Sequence, residues 1–195
     1  MIDATIAVLA GGRSRRMGSD KAFVRLHDRP LIDHVLERVS TLALPTIIIA
    51  NEPERYQAFH LPVFSDQLPG KGSLGGVYTA LYHSPTAYIL CVACDMPLLN
   101  PTLLAYLLMQ RRCGAAVVPL IAGRPEGLHS VYSKTCLAPL LRALEQDRLK
   151  IADFLPTVQT CYVAEPDLRR FDPQLRSFIN LNTPEDLRQI EQHRA

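Results

Sequence analysis

Residues Thr5–Lys21 read TIAVLAGGRSRRMGSDK. The first five, Thr5–Leu9, form a short continuous apolar run, the pattern of a strand buried on both faces in a parallel sheet. The run stops at Ala10-Gly11-Gly12, and four cations follow within nine residues: Arg13, Arg15, Arg16 and Lys21. Glycines let backbone amides approach an anion closely, and clustered cations suit a polyphosphate. The loop is not a P-loop, because no Lys-Ser/Thr pair follows a glycine at Walker spacing. It is not a dinucleotide fingerprint either, because G-x-G-x-x-G is absent. A surface turn with solvated charges is the plain alternative. Position decides against it: in open α/β sheets, ligands bind beyond the carboxyl ends of the strands.

Outward from this stretch, apolar runs alternate with helical patterns. Strands are expected at Thr46–Ala50, Pro62–Ser65, Ala87–Ala93, Ala115–Pro119, His129–Ser133, Thr160–Val163 and Phe178–Asn180. Helices are expected over Pro30–Leu42, Glu52–Phe59, Leu74–His83, Cys136–Gln146 and Ile151–Leu155. Another starts at the Asn100-Pro101 cap and runs to about Arg112. The last is opened by a Thr183–Asp186 capping box. The alternation predicts a three-layer, Rossmann-like α/β sandwich with a mainly parallel sheet, spanning residues 1–195 as a single domain.

Composition narrows the function. In 195 residues, 48% are hydrophobic and 21% charged, which argues against disorder, collagen and coiled coil. The net charge is +2, from 21 Lys+Arg against 19 Asp+Glu, so neither a nucleic-acid coat nor a membrane-surface binder is expected. Trp is absent and aromatics are 7%, leaving no stacking platform for single strands. There is no signal-peptide pattern, and no apolar stretch approaches the ~18 residues of a membrane span, so a cytoplasmic protein is expected. Five scattered cysteines do not resemble a disulfide framework. Cys91 and Cys94 lie three apart on an expected strand, hence on opposite faces, and read as core rather than redox or zinc residues. His129-Ser130 suggests a hydrolase pair, but no G-x-S-x-G elbow supports it.

Two further groups of residues carry chemistry. Asp95 ends the most apolar strand, and Pro97 stops that strand from continuing. A carboxylate there suits Mg²⁺, which takes one or two carboxylates and completes its shell with phosphate and water. Asn180 and Asn182 lie two apart, so on a strand they share a face. They serve either a polar ligand or the cap of the last helix.

The stretch Leu9–Lys21, L-A-G-G-x-S-x-R-M-G-x-D-K, resembles the signature loop of the molybdenum cofactor guanylyltransferases. These are small nucleotidyltransferases similar to sugar-nucleotide pyrophosphorylases, with the nucleotide-diphospho-sugar transferase fold. Further along, Ile47–Asn51 resembles the family's second strand, and Asp66–Gly76 its D-x-x-x-G-x-G-P-L-x-G loop. Cys94-Asp95-Met96-Pro97 resembles its C-D-x-P metal loop, and Asn180–Glu185 its N-x-N-T-P-E segment. Ser73 and Gly127 each stand where the family usually has Pro.

The resemblance implies transfer of GMP from GTP to the terminal phosphate of molybdopterin, with release of diphosphate. It implies a GTP site of Leu9, Ala10, Gly11, Lys21, Asn51, Asp66 and Asp95 in the N-terminal half. Lys21, Arg15 and Asp95 would be catalytic, with Mg²⁺ on Asp95. The pterin would rest on the C-terminal half, at Asn180, Asn182 and Arg148, with Arg124 and Lys150 candidates by position. The alternatives are cytidylyl transfer to the same pterin, a sugar-phosphate nucleotidyltransferase, and a non-catalytic GTP-binding regulator. Leu-Ala-Gly-Gly, rather than Leu-Ala-Ala-Gly, favours guanine. Other proteins that make or receive the molybdenum cofactor are possible partners.

Overall fold

A computed structural model describes residues 2–10 and 21–192. The chain opens with strand β1 (Ala4–Leu9), a ribbon β2 (Arg25–Leu26) and β3 (Arg29–Pro30), helix α1 (Leu31–Ser40) and β4 (Thr46–Ile49). It continues through β5 (Val63–Phe64), α2 (Gly72–His83), β6 (Tyr88–Ala93) and α3 (Pro101–Met109). Next come β7 (Ala116–Ile121), β8 (Arg124–Pro125), β9 (His129–Ser133), α4 (Leu137–Glu145) and α5 (Ile151–Phe154). The last elements are β10 (Thr160–Val163), α6 (Glu165–Arg169) and α7 (Pro184–Gln192).

The main sheet has the order β10-β7-β9-β6-β1-β4-β5. β1 pairs in parallel with both β4 and β6, with Leu9 opposite Ile49 on one side and Ala93 on the other. β9 runs antiparallel to its neighbours β6 and β7. Alternation along β1 feeds two cores. Ile6 and Val8 pack on one face with Ile32, Val35 and Val39 of α1 and Leu103, Leu104 and Leu107 of α3. Ala7 and Leu9 pack on the other with Leu74, Val77 and Leu81 of α2 and Leu140 and Leu144 of α4. Each fully buried Leu or Val stabilises this packing by about 1.5–3 kcal/mol relative to exposure. The expected three-layer sandwich is therefore what forms. Because α1 and α2 pack on opposite faces, the end of β1 is the point where the winding of the sheet reverses, which is where such sheets bind their ligands.

Three features depart from the sequence reading. Phe178–Asn180 is not a strand. Leu175 takes a left-handed conformation (φ 53°), a single 3-10 turn covers Arg176–Phe178, and Phe178 packs into the first core. Cys113 and Cys161 are joined in a disulfide, 48 residues apart in sequence and 6.1 Å apart at Cα. The β2–β3 ribbon turns through His27 (φ 49°) and Asp28 (φ 61°), without the glycine that usually signals such a turn. Among expectations met, Cys91 and Cys94 are buried in opposite cores. Ser130 Oγ donates to the Glu126 carbonyl at 2.7 Å, not to His129.

Gly127 is explained by close packing. A Cβ there would overlap the Ile151 side chain at the start of α5, with Ile151 Cβ itself 3.2 Å away. The Gly127 carbonyl is also pinned by the Tyr132 hydroxyl at 2.8 Å. Gly127→Ala is expected to destabilise the protein by about 1–3 kcal/mol through overpacking, read as a lower urea midpoint at unchanged slope.

His129 is fully buried, and among the described residues neither ring nitrogen has a hydrogen-bond partner. Its ring lies 4.5 Å from that of Phe178. Burial pushes its pKa down to about 4, against a smaller upward pull from Asp172 and the Ser177 backbone. The unfolded value is about 6.5, so between these two values the unfolded chain binds the extra proton and stability rises with pH. Above pH 6.5 the contribution is complete; towards pH 4 about 3 kcal/mol is withdrawn, at about 1.4 kcal/mol per pK unit. Urea unfolding at pH 5 and pH 7.5 should differ by about 2 kcal/mol of this, the part withdrawn by pH 5, and His129→Phe should shrink the difference. An equal deficit in the variant would assign the pH dependence to other groups.

Candidate active site

The site forms where β1, β4 and β6 end. Pairing runs one residue beyond the strands: Ala10 N–H donates to Ile49 O at 2.9 Å, and Cys94 N–H to Leu9 O at 3.0 Å. Leu9 and Ala10 thus lie at this strand end with backbone held on both sides. The Tyr56 hydroxyl adds a donor to Ala10 O at 3.3 Å. Gly11 and Arg15 lie outside the described residues.

Asp95 leaves the sheet directly after β6, and Lys21 returns to it from the glycine-rich stretch. Lys21 Nζ donates to Asp95 Oδ2 at 2.9 Å, with side-chain exposures of only 22% and 16%. The same ammonium donates to Asn182 Oδ1. Three residues separated by up to 161 positions therefore meet around one cation. The loop carrying Asn182 is fastened by Leu181 N–H to Asp95 O at 2.9 Å. Asp186 accepts from Asn182 N–H and Thr183 N–H, both at 2.8 Å. These bonds, that from Asn182 foremost, hold its carboxyl below the usual range. Asp186 N–H donates back to Thr183 Oγ1 at 3.2 Å, completing the expected capping box of α7. Thr183, rather than either asparagine, caps that helix.

A second fastening was not legible in the sequence. Asn100 caps α3 as expected, accepting from Thr102 N–H at 2.9 Å and Leu103 N–H at 3.3 Å. Its own N–H donates to Ser177 Oγ at 2.9 Å, and Ser177 N–H donates to buried Asp172 at 2.7 Å. The segment leading to Asn182 is thus locked onto the loop after Asp95. The Asp172-Pro173 pair was the available signal, as a turn opener.

Across β1, Asn51 and Asp66 form a reciprocal pair: Asn51 Nδ2 donates to Asp66 Oδ2, and Asp66 N–H to Asn51 Oδ1, each at 3.0 Å. The loop then reaches α2 through Gly70 (φ 81°) and Gly72 (φ 61°), a path suited to glycine. Among the described residues no side chain caps α2, and its first amides are available to an acceptor. Lys71 is occupied, donating to Leu144 O at 2.9 Å and to Asp147 at 2.6 Å.

The structure brings Lys21, Asp95 and Asn182 into contact. Asn180 does not touch Lys21 or Asp95 among the described contacts; its amide donates to Phe178 O at 3.4 Å and its carbonyl accepts from Asn182 Nδ2 at 3.5 Å. Without a strand, the shared-face reading of Asn180 and Asn182 falls. Arg148 bonds to Gln146 beyond α4, in the layer that packs on the second core, whereas Asn182 follows residues of the first core. Arg124 is in β8 and Lys150 precedes α5; no hydrogen bond among described residues joins either to the asparagines.

Asp95 fits Mg²⁺ on its donor chemistry. It offers one carboxylate beyond the end of β6, and the described residues contain no cluster of three His, Cys, Asp or Glu side chains. A hard cation that draws its remaining ligands from phosphate and water matches that set; a dedicated zinc site does not.

Residues 6–158 match the family described as the MobA-like NTP transferase domain. The chain is 35% identical over 184 residues to the molybdenum cofactor guanylyltransferase of Syntrophotalea carbinolica, covering 92% of this chain and 86% of that protein. It superposes on molybdopterin-guanine dinucleotide biosynthesis protein A from Archaeoglobus fulgidus with a TM-score of 0.86 and 31% identity, over 97% of each chain. A structure of CMP:2-keto-3-deoxy-manno-octonic acid synthetase, at 15% identity and a TM-score of 0.73 over about 97% of each chain, shares the fold. No described helix is long and apolar enough to cross a membrane.

Proposed function

We propose, for a chain that belongs to the MobA-like NTP transferase family, that it transfers GMP from GTP to the terminal phosphate of molybdopterin and releases diphosphate. The observation that carries this reading is the Lys21–Asp95–Asn182 cluster at the end of β1. It places one cation, one carboxylate and one amide where a triphosphate would lie.

A molybdopterin phosphate oxygen attacks the α-phosphorus of GTP. The new P–O bond forms as the bond to the β-phosphate oxygen breaks, and pyrophosphate leaves with the electron pair. The nucleophile is a phosphate monoester whose second pKa is about 6, so it is largely ionised at neutral pH and needs no strong base. What remains for the protein is positioning and charge neutralisation. Lys21 turns from Asp95 to the phosphates, Arg15 and the Gly11 amide join it, and the leaving group departs into that positive cradle. Mg²⁺, held by Asp95, would supply neutralisation of phosphate oxygens. Asn182, beside the Lys21–Asp95 pair, is the candidate contact between phosphates and pterin, and Asn180 is a candidate by its nearness in sequence. Arg148, bonded to Gln146, is at most a peripheral contact.

The guanine edge presents one acceptor and two donors. The uncapped amides at the start of α2 suit the acceptor, and the Asn51–Asp66 pair suits donors or the ribose. Buried polar groups left unpaired by cytosine are costly, so discrimination of several orders of magnitude is expected. The test is kcat/KM for GTP and CTP with molybdopterin as acceptor. A strong preference for GTP supports the reading. Comparable values, or a preference for CTP, favour the cytidylyl alternative.

A further inference from the structure

A cavity of about 440 Å³ is lined in part by Pro97–Pro101, the segment that follows Asp95, while Lys21, Asp95 and Asn182 do not line it. Its wall combines apolar Leu26, Leu99 and Ile190 with Arg38, Arg176 and two imidazoles, His27 and His34. The volume falls within the range of small-molecule sites, and a mostly apolar floor with a few charged groups is their usual make-up.

The arginines are the informative feature. Arg29, Arg169 and Arg188 each sit on a carboxylate of this chain. Among the described residues no side chain or carbonyl is bonded to the guanidinium of Arg38 or Arg176, although the charge of Arg38 acts on neighbouring Glu37 and the two backbone carbonyls accept from Thr41 Oγ1 and Ile179 N–H. Glu37 adjoins Arg38, but its carboxylate is taken by Arg29 at 2.9 Å. Asp172, the single carboxylate lining the cavity, gives one oxygen to Ser177 N–H. His34 and Arg38 are one helical turn apart on α1 and so share a face. His34 is fixed at 2.9 Å to Leu26 O. Two exposed arginines therefore line a hollow that also has Leu26, Leu99 and Ile190 in its wall. A planar, forked donor is the group best matched to a phosphate or carboxylate.

We propose that this cavity is a second binding site, for a small organic anion: an apolar body seated on Leu26, Leu99 and Ile190, and a phosphate or carboxylate held by Arg38 and Arg176. It is independent of the nucleotide chemistry, but its wall includes Pro97–Asn100, the segment that follows Asp95.

The test is a titration of the full chain, in excess GTP, with phenyl phosphate followed by ¹H–¹⁵N NMR. The expected result is saturable movement of the Leu98, Leu99, Asn100 and Arg176 amides. Inorganic phosphate should bind at least about fivefold more weakly, because it lacks the apolar body. Phenol should not saturate. The exposed pair Arg38→Met and Arg176→Met, combined, keeps the aliphatic stems and should raise Kd at least about tenfold. The proposal is overturned by an unchanged Kd in that variant, by phosphate or phenol binding as tightly as phenyl phosphate, by absence of saturable shifts, or by shifts confined to Leu9, Lys21 and Asp95.

Discussion

Asp95→Asn leaves the protein folded and lowers guanylyl transfer by about three orders of magnitude or more. The fold survives because the carboxylate lies at the sheet edge and its backbone contacts, such as Leu181 N–H to Asp95 O at 2.9 Å, do not involve the side chain. Loss of the charged bond to Lys21 costs about 1–2 kcal/mol of stability. The rate effect is larger. An amide is neutral and a poor Mg²⁺ ligand, so stabilisation worth several kcal/mol in metal-assisted reactions is withdrawn as charge builds on the leaving group. At about 1.4 kcal/mol per decade this amounts to a factor of a thousand or so. Single-turnover transfer, circular dichroism and a Mg²⁺ titration together check it. Near wild-type turnover at low Mg²⁺ would move the metal elsewhere, with Asp66 next in line.

Lys21→Ala is expected to lower both GTP affinity and the transfer rate, the latter by about 10²–10³-fold, the range for losing one preorganised charged donor. The structure adds a consequence the sequence did not suggest. Lys21 also holds Asp95 and Asn182 together, so its removal loosens the pterin side as well as the phosphate side. The acceptor KM should therefore rise along with that for GTP. Arg13→Ala should have a smaller effect, because neighbouring arginines partly replace it. Equal and negligible effects of the two substitutions on GTP affinity would contradict the assignment of Lys21 to the phosphate cradle.

Much of this was legible because local chemistry and global position agreed. The apolar run Thr5–Leu9 could only be buried, and the Gly-rich stretch after it had to lie at a carboxyl edge. Asn100-Pro101 and Thr183–Asp186 carry cap chemistry that needs no tertiary knowledge, and both caps are present. Phe178–Asn180 was misread because a short apolar run does not distinguish a strand from a packed turn. Phe178 is buried against His129, not paired in a ladder. The antiparallel direction of β9 was equally hidden, since apolar content carries no polarity. The grouping of Arg148 with the asparagines rested on sequence order; in the structure Arg148 bonds to Gln146, and no hydrogen bond among the described residues joins it to either asparagine. The meeting of Lys21 with Asn182 depends on the Asp172–Ser177–Asn100 contacts, which are tertiary and leave no periodic trace.

The measurement that bears most directly on the proposed transfer is the fate of labelled phosphorus in a reaction of the purified protein with molybdopterin, Mg²⁺ and GTP. With label in the α-phosphate, radioactivity should appear in a dinucleotide that contains the pterin; with label in the γ-phosphate, it should appear wholly in pyrophosphate. Both transfers should fail together in Asp95→Asn. Release of γ-label as inorganic phosphate, with no α-label in the pterin product, would contradict guanylyl transfer and leave a GTP-binding or hydrolysing protein in its place.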